Sequence, residues 1–150
     1  MLVEHVFVTT YEEDEALQRA RQLLAYFGFR VTSSTSGKLV MTSGKKKPTS
    51  RKVADLPQTV QLNYDRGRVS VGAAIMARRN KDLPVHAELM STLVTSLERL
   101  LVQREPFSSC TQQFLFLQAQ TGKVWAKGEK VAIGCLIALI GAIVIFLTIG

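Results

Sequence analysis

The chain has 150 residues, 47% of them hydrophobic and 21% charged, with a formal net charge of +7. That length holds one ordinary domain of about 100 residues plus an appendage. The two cysteines, Cys110 and Cys135, fall in separate regions, so no intradomain pair suggests an oxidising compartment. The first residues, MLVEHVFVTTYEEDE, lack a basic start, a long apolar run and a small-residue cleavage site, and so do not read as a secretory signal.

Residues 2–9 are rich in β-branched side chains and read as a strand. Thr10 with Glu13 forms a capping box, and Glu12, Glu13, Asp14 and Glu15 load the first turn of a helix with negative charge. Leu17, Ala20, Leu24 and Phe27 form its apolar stripe, and Gly28 is placed to end it. Phe29 to Thr32 reads as a short second strand. A Ser-Thr-Ser-Gly turn closing at Gly37 leads into a third, Lys38 to Ser43. The loop 44–52, GKKKPTSRK, carries five basic residues and no acidic one.

In the next strand Val60, Leu62 and Tyr64 alternate with Thr59, Gln61 and Asn63. Asp65-Arg66-Gly67 signals a tight turn, after which Val69, Val71, Ala73, Ile75 and Ala77 repeat the alternation, a hairpin. Gly72 is expected to mark a bulge or a bend. Asp82 is placed to cap a second helix, with Pro84 in its first turn. Its apolar positions Leu89, Met90, Leu93, Leu97, Leu100 and Leu101 keep helical spacing, the helix is expected to run through Glu105, and Pro106 is read as its stop. The expected fold class is therefore α+β: a β-α-β-β-β-β-α domain over residues 1–105, with a curved antiparallel sheet and both helices on one face. This order of elements resembles a single repeat of the TATA-binding-protein-like folds, and the resemblance implies a shape rather than a function.

Residues 106–130 are expected to link this domain to a membrane. They contain Phe114, Leu115, Phe116 and Leu117 in a row among glutamines. Such a run is unsuited to a free linker. It would add a strand to the sheet, lie at the lipid interface or dock on a partner. The last twenty residues, VAIGCLIALIGAIVIFLTIG, hold no charge and one hydroxyl, Thr148. As a helix they would span roughly 30 Å, the thickness of a bilayer hydrocarbon core. The expectation is a transmembrane helix over 131–150 in a tail-anchored layout. Lys123, Lys127 and Lys130 precede it, and Trp125 sits where an interfacial aromatic belongs. Positive-inside reasoning then keeps residues 1–130 cytoplasmic and puts the C-terminus on the opposite side.

Catalytic chemistry has little to stand on. Neither Gly37-Lys38 nor Gly44-Lys45 has the spacing of a phosphate loop. His5 and His86 have no Cys or His at metal-ligand spacing and read as surface or edge residues. A helix start accounts for the acidic cluster. The chain is expected to be non-enzymatic, with no cofactor and no metal.

The interaction features are more informative. Residues 1–105 carry sixteen Lys and Arg against eleven Asp and Glu, and Lys45, Lys46, Lys47, Arg51 and Lys52 share one loop. That loop suits anionic lipid headgroups or an acidic partner surface. Nucleic-acid binding is disfavoured, because no aromatics are interleaved and no recognition motif appears. In the apolar run Gly134, Ala138 and Ala142, with Gly141 beside the last, form a small-residue stripe along which another helix can approach closely. The expected role is a non-catalytic accessory or scaffold subunit of a larger membrane protein complex, with energy-transducing assemblies one such host. The alternative is a membrane-tethered binding module for an apolar ligand or anionic lipid headgroups, with Met76 and Met90 lining its pocket.

Overall fold

The computed structural model describes residues 2–44, 55–76 and 84–120. Strands β1 (Leu2–Val8), β2 (Arg30–Thr35), β3 (Lys38–Ser43), β4 (Gln58–Asp65) and β5 (Arg68–Ile75) form one sheet, with helix α1 (Glu13–Tyr26) after β1 and helix α2 (Pro84–Leu101) after β5. The sheet order is β1-β5-β4-β3-β2, and every neighbouring pair is antiparallel. The first and last strands in sequence are thus neighbours, and the β1-to-β2 connection must cross from one edge of the sheet to the other. Four strand spacings come to about 19 Å, and a 14-residue helix is about 21 Å long. The helix α1 is long enough to carry the chain across.

Both helices cover the same face. The α1 helix lies against β2, β3 and β4, α2 lies against β1 and β5, and the two helices touch each other. Alternation explains why the layers close. Val60 and Leu62 of β4 and Val69, Val71, Ala73 and Ile75 of β5 point into the core, while Thr59, Gln61, Asn63, Ser70 and Ala74 take the other face. Buried Leu89, Met90, Leu93 and Leu97 of α2, spaced by three and four, meet them from above.

The ends of α1 divide the expectations. At its C-terminus the Gly28 amide donates to Ala25 O (3.0 Å) and the Phe29 amide to Leu24 O (2.9 Å), with Gly28 at φ +89°. This is a Schellman stop, as the glycine signalled. The N-terminus is not a capping box: the residue before the helix is Glu12, and it makes no side-chain cap. The Glu13 carboxylate instead accepts hydrogen bonds from the Gly37 amide and the Ser36 hydroxyl, tying α1 to the β2–β3 turn. Thr10 accepts from Arg104 (2.7 Å) instead of capping the helix.

Two smaller expectations also shift. Gly72 pairs in register with Glu4 and Gln61 and makes no bulge. The register shift lies between Val31 and Ser33 of β2, an edge strand exposed along its whole length. His86 is buried, not at the surface, because it falls one turn before Leu89 and Met90 on the sheet-facing side of α2. Asp82, the expected cap of that helix, lies outside the described residues.

Candidate interaction surface

The α2 helix ends at Leu101 rather than Glu105. A buried hydroxyl helps to close it: Thr9 Oγ1 donates to Leu101 O at 2.6 Å. Three residues later Arg104 takes φ +54°, and the Glu105 amide donates back to Arg99 O (3.1 Å). Pro106 does not end the helical part of the chain. Its carbonyl accepts from the Ser109 amide (3.0 Å) and the Cys110 amide (3.4 Å) and opens a third helix, α3, over residues 107–120. Proline is tolerated at a helix start because the amide it lacks would have no partner there.

The corner between α2 and α3 is clamped by charge. Arg99 Nε and Nη2 donate to the two carboxylate oxygens of Glu105 at 3.0 and 2.5 Å, and Ser109 Oγ adds a third bond at 3.0 Å. The hydrogen bonds from Arg99, helped by Ser109, hold the Glu105 carboxyl below the usual carboxylate range. The same pair raises the Arg99 guanidinium further above its ordinary value. Behind the clamp Cys110 is fully buried, and burial pushes its thiol up.

The apolar run 114–117 is divided by α3. Phe114 is fully buried, its ring centroid 4.2 Å from that of Phe27. It belongs to the core with Cys110, and Leu117 is partly buried against them. Phe116 is 62% exposed, Leu115 next to it is exposed, and so is Phe107 at the start of α3. Phe107 meets the exposed ring of Tyr26 edge-on at 5.5 Å. Thus the segment expected to be strand, lipid-facing or partner-facing is a helix docked on its own domain. Helical spacing buries positions 110, 114 and 117 and turns 115 and 116 outward. Phe114 is core, not surface. The segment 106–120, expected as linker, completes the hydrophobic layer.

Two open clefts accompany this surface. One, of about 580 Å³, lies between the start of α1 and β2–β3 and is lined by residues including Glu13, Asp14, Arg21 and Ser36. The other, about 440 Å³, lies on the face of the sheet away from α1 and α2, beside Leu2, Glu4, Gln61, Asn63 and Ala74. Met90 is wholly buried in the core, whereas Met76 is 72% exposed at the end of β5. The two methionines do not share a pocket. His5 Nε2 lies 3.2 Å from Glu98 of α2 in an exposed pair. Among the described residues no three of His, Cys, Asp and Glu gather as a metal site.

Lys45, Lys46, Lys47, Arg51, Lys52, Trp125, Gly134, Ala138, Gly141 and Ala142 lie outside the described residues, as does the expected transmembrane segment 131–150. Among the described residues no helix is long and apolar enough to cross a membrane. No protein-family model matches the chain, and no curated protein does.

Proposed function

We propose that this chain is a non-catalytic accessory or scaffold subunit of a larger membrane protein complex, anchored by a transmembrane helix at residues 131–150. The observation that carries the reading is the uncharged twenty-residue run itself, long enough to span a bilayer core. The folded domain adds a compatible surface. Exposed Phe116 and Leu115 lie on the last helix described, α3, fifteen or so residues before that run. An apolar ridge so close to an anchor is suited to the bilayer interface or to a neighbouring membrane subunit. In this reading the domain stays on the cytoplasmic side, where Lys123, Lys127 and Lys130 hold the near end of the helix.

The test is extraction from native membranes. Resistance to alkaline carbonate, followed by co-migration with a stoichiometric set of membrane proteins in mild detergent, is the expected result. Release by carbonate would remove the anchor. Migration in its micelle without any other protein would remove the accessory-subunit role and leave the tethered binding module.

A further inference from the structure

The edge of the sheet formed by β1 is built to take another strand. In an antiparallel ladder, backbone groups of alternate residues point to opposite sides of the strand. The Thr9 amide donates to Gly67 O at 2.8 Å, in the same register that pairs Phe7 with Val69 and His5 with Val71. The odd-numbered residues of β1 therefore bond to β5. On the far side of β5, the Met76 amide donates to Pro57 O at 2.9 Å, so even-numbered residues there bond to β4, in agreement. It follows that Leu2, Glu4, Val6 and Val8 aim their N–H and C=O groups away from the sheet. Among the described residues no strand lies on that side.

Edge strands that must stay alone are blunted by lysine, proline or a bulge. The opposite edge, β2, has Arg30, four hydroxyl side chains in Thr32, Ser33, Ser34 and Thr35, and the register shift. The β1 edge has no lysine, proline or bulge, and its one acidic side chain is Glu4. Its pairing with β5 is unbroken over seven residues, and Leu2, Val6 and Val8 are 59%, 46% and 69% exposed.

We infer that β1 pairs antiparallel with β1 of a second copy of this chain, joining two sheets edge to edge around a two-fold axis at His5. Only even-numbered residues can exchange hydrogen bonds across this edge, so the axis must pass through a residue. Centring on Glu4 sets two carboxylates opposite each other and leaves Phe7 and Val8 unpaired. Centring on Val6 leaves Leu2 and Val3 without strand partners. Centring on His5 uses the whole strand: Leu2 faces Val8, Val3 faces Phe7, and Glu4 faces Val6. Exposed Leu2 and Val8 then meet across the seam, and the two Glu4 carboxylates do not oppose each other directly. The axis stands perpendicular to the joined sheet, so both helical layers lie on one side. Both chains therefore continue past residue 120 from the same side, as two anchors in one membrane require. That last argument rests on the proposed membrane reading; the strand geometry does not.

Disulfide trapping in the full chain, in mild detergent and with Cys135→Ser as background, tests the register. His5→Cys is expected to give a cross-linked dimer on gentle oxidation, because the two His5 positions face each other in a non-hydrogen-bonded pair with Cα atoms about 4.5 Å apart. Val3→Cys and Val8→Cys lie about 13 and 20 Å from their own copies along the strand and are expected to form no cross-link. Val6→Glu, which sets a second carboxylate directly opposite Glu4 of the other copy, is expected, with far-UV circular dichroism unchanged, to convert the dimer to a monomer by light scattering. A monomeric parent, equal cross-linking at all three positions, a dimer indifferent to Val6→Glu, or another protein on this edge would each overturn the inference. Carbonate extraction reads the anchor separately, since the cross-link is expected whether or not the chain resists it.

Discussion

At the scale of single residues, adjacent apolar side chains in one run have different jobs. Phe114 stacks on Phe27 inside the core and Phe116 stands in solvent two positions later. Phe114→Ala is expected to cost about 3–5 kcal/mol, as truncation of a buried aromatic does. Phe116→Ala should stay within about 0.5 kcal/mol. Denaturant midpoints of the detergent-solubilised chain separate the two, and equal losses would mean that α3 is not docked as described. The sequence could not make this distinction. Four apolar residues in a row fit a buried strand, a helix or an interfacial segment equally, and only the buried partner Phe27, just past the end of α1, decides. His86 was hidden for a related reason: its side of the helix depends on where the helix meets the sheet.

Glu105 carries a consequence for acid stability. Its folded carboxyl is held low by Arg99, so the folded state binds fewer protons than the unfolded chain in acid. The stabilisation is complete above the ordinary glutamate value of about 4.3 and disappears as pH falls through the lower folded value. Glu105→Gln is therefore expected to be less stable than the parent at pH 7, with the gap closing below about pH 4. Urea midpoints measured from pH 7 to pH 3 follow the gap. A constant difference across that range would mean that the clamp contributes by shape alone.

At the scale of elements, the β4–β5 hairpin was legible because three signals agree. Alternation on both sides fixes the faces, and Asp65-Arg66-Gly67 fixes the turn. The loop is two residues long, Arg66 at φ +48° and Gly67 at +82°. Positive φ at both positions is the turn whose twist suits a hairpin. Arginine tolerates that conformation less well than asparagine. Arg66→Asn is expected to stabilise the chain by about 0.5–1 kcal/mol, read as an upward shift in the thermal midpoint. A loss would mean that the Arg66 side chain holds something the turn needs. Helix boundaries were harder to read. Thr10 and Glu13 have capping-box spacing, yet Glu13 is claimed by the Ser36–Gly37 turn, a contact twenty-odd residues away in sequence. Pro106 was read as a stop and is a start, because proline is compatible with both sides of a helix boundary. Local sequence supplies the elements and their faces. The tertiary partners decide which end of an ambiguous signal is used.

At the scale of the molecule, the proposed anchor and the folded domain make separable demands on the membrane. The five cations of the 44–52 loop would each contribute roughly 1 kcal/mol near an anionic surface, an attraction that salt weakens. Replacing Lys45, Lys46, Lys47, Arg51 and Lys52 with glutamine should leave carbonate resistance intact, since in the proposed reading the apolar run alone supplies insertion. The Gly134, Ala138 and Ala142 stripe makes the opposite demand. Leucine at these positions adds apolar area and does not oppose insertion. It fills the space that a close helix–helix approach requires, and overpacking a tight contact costs about 1–3 kcal/mol per site. The triple substitution is expected to remain in the membrane but to lose its co-migrating partners in mild detergent. Ile140→Leu, on the other side of the run, should retain them. If the triple variant keeps its partners, the complex is held by the folded domain, and the exposed Phe116 and Leu115 of α3 become the surface to alter next.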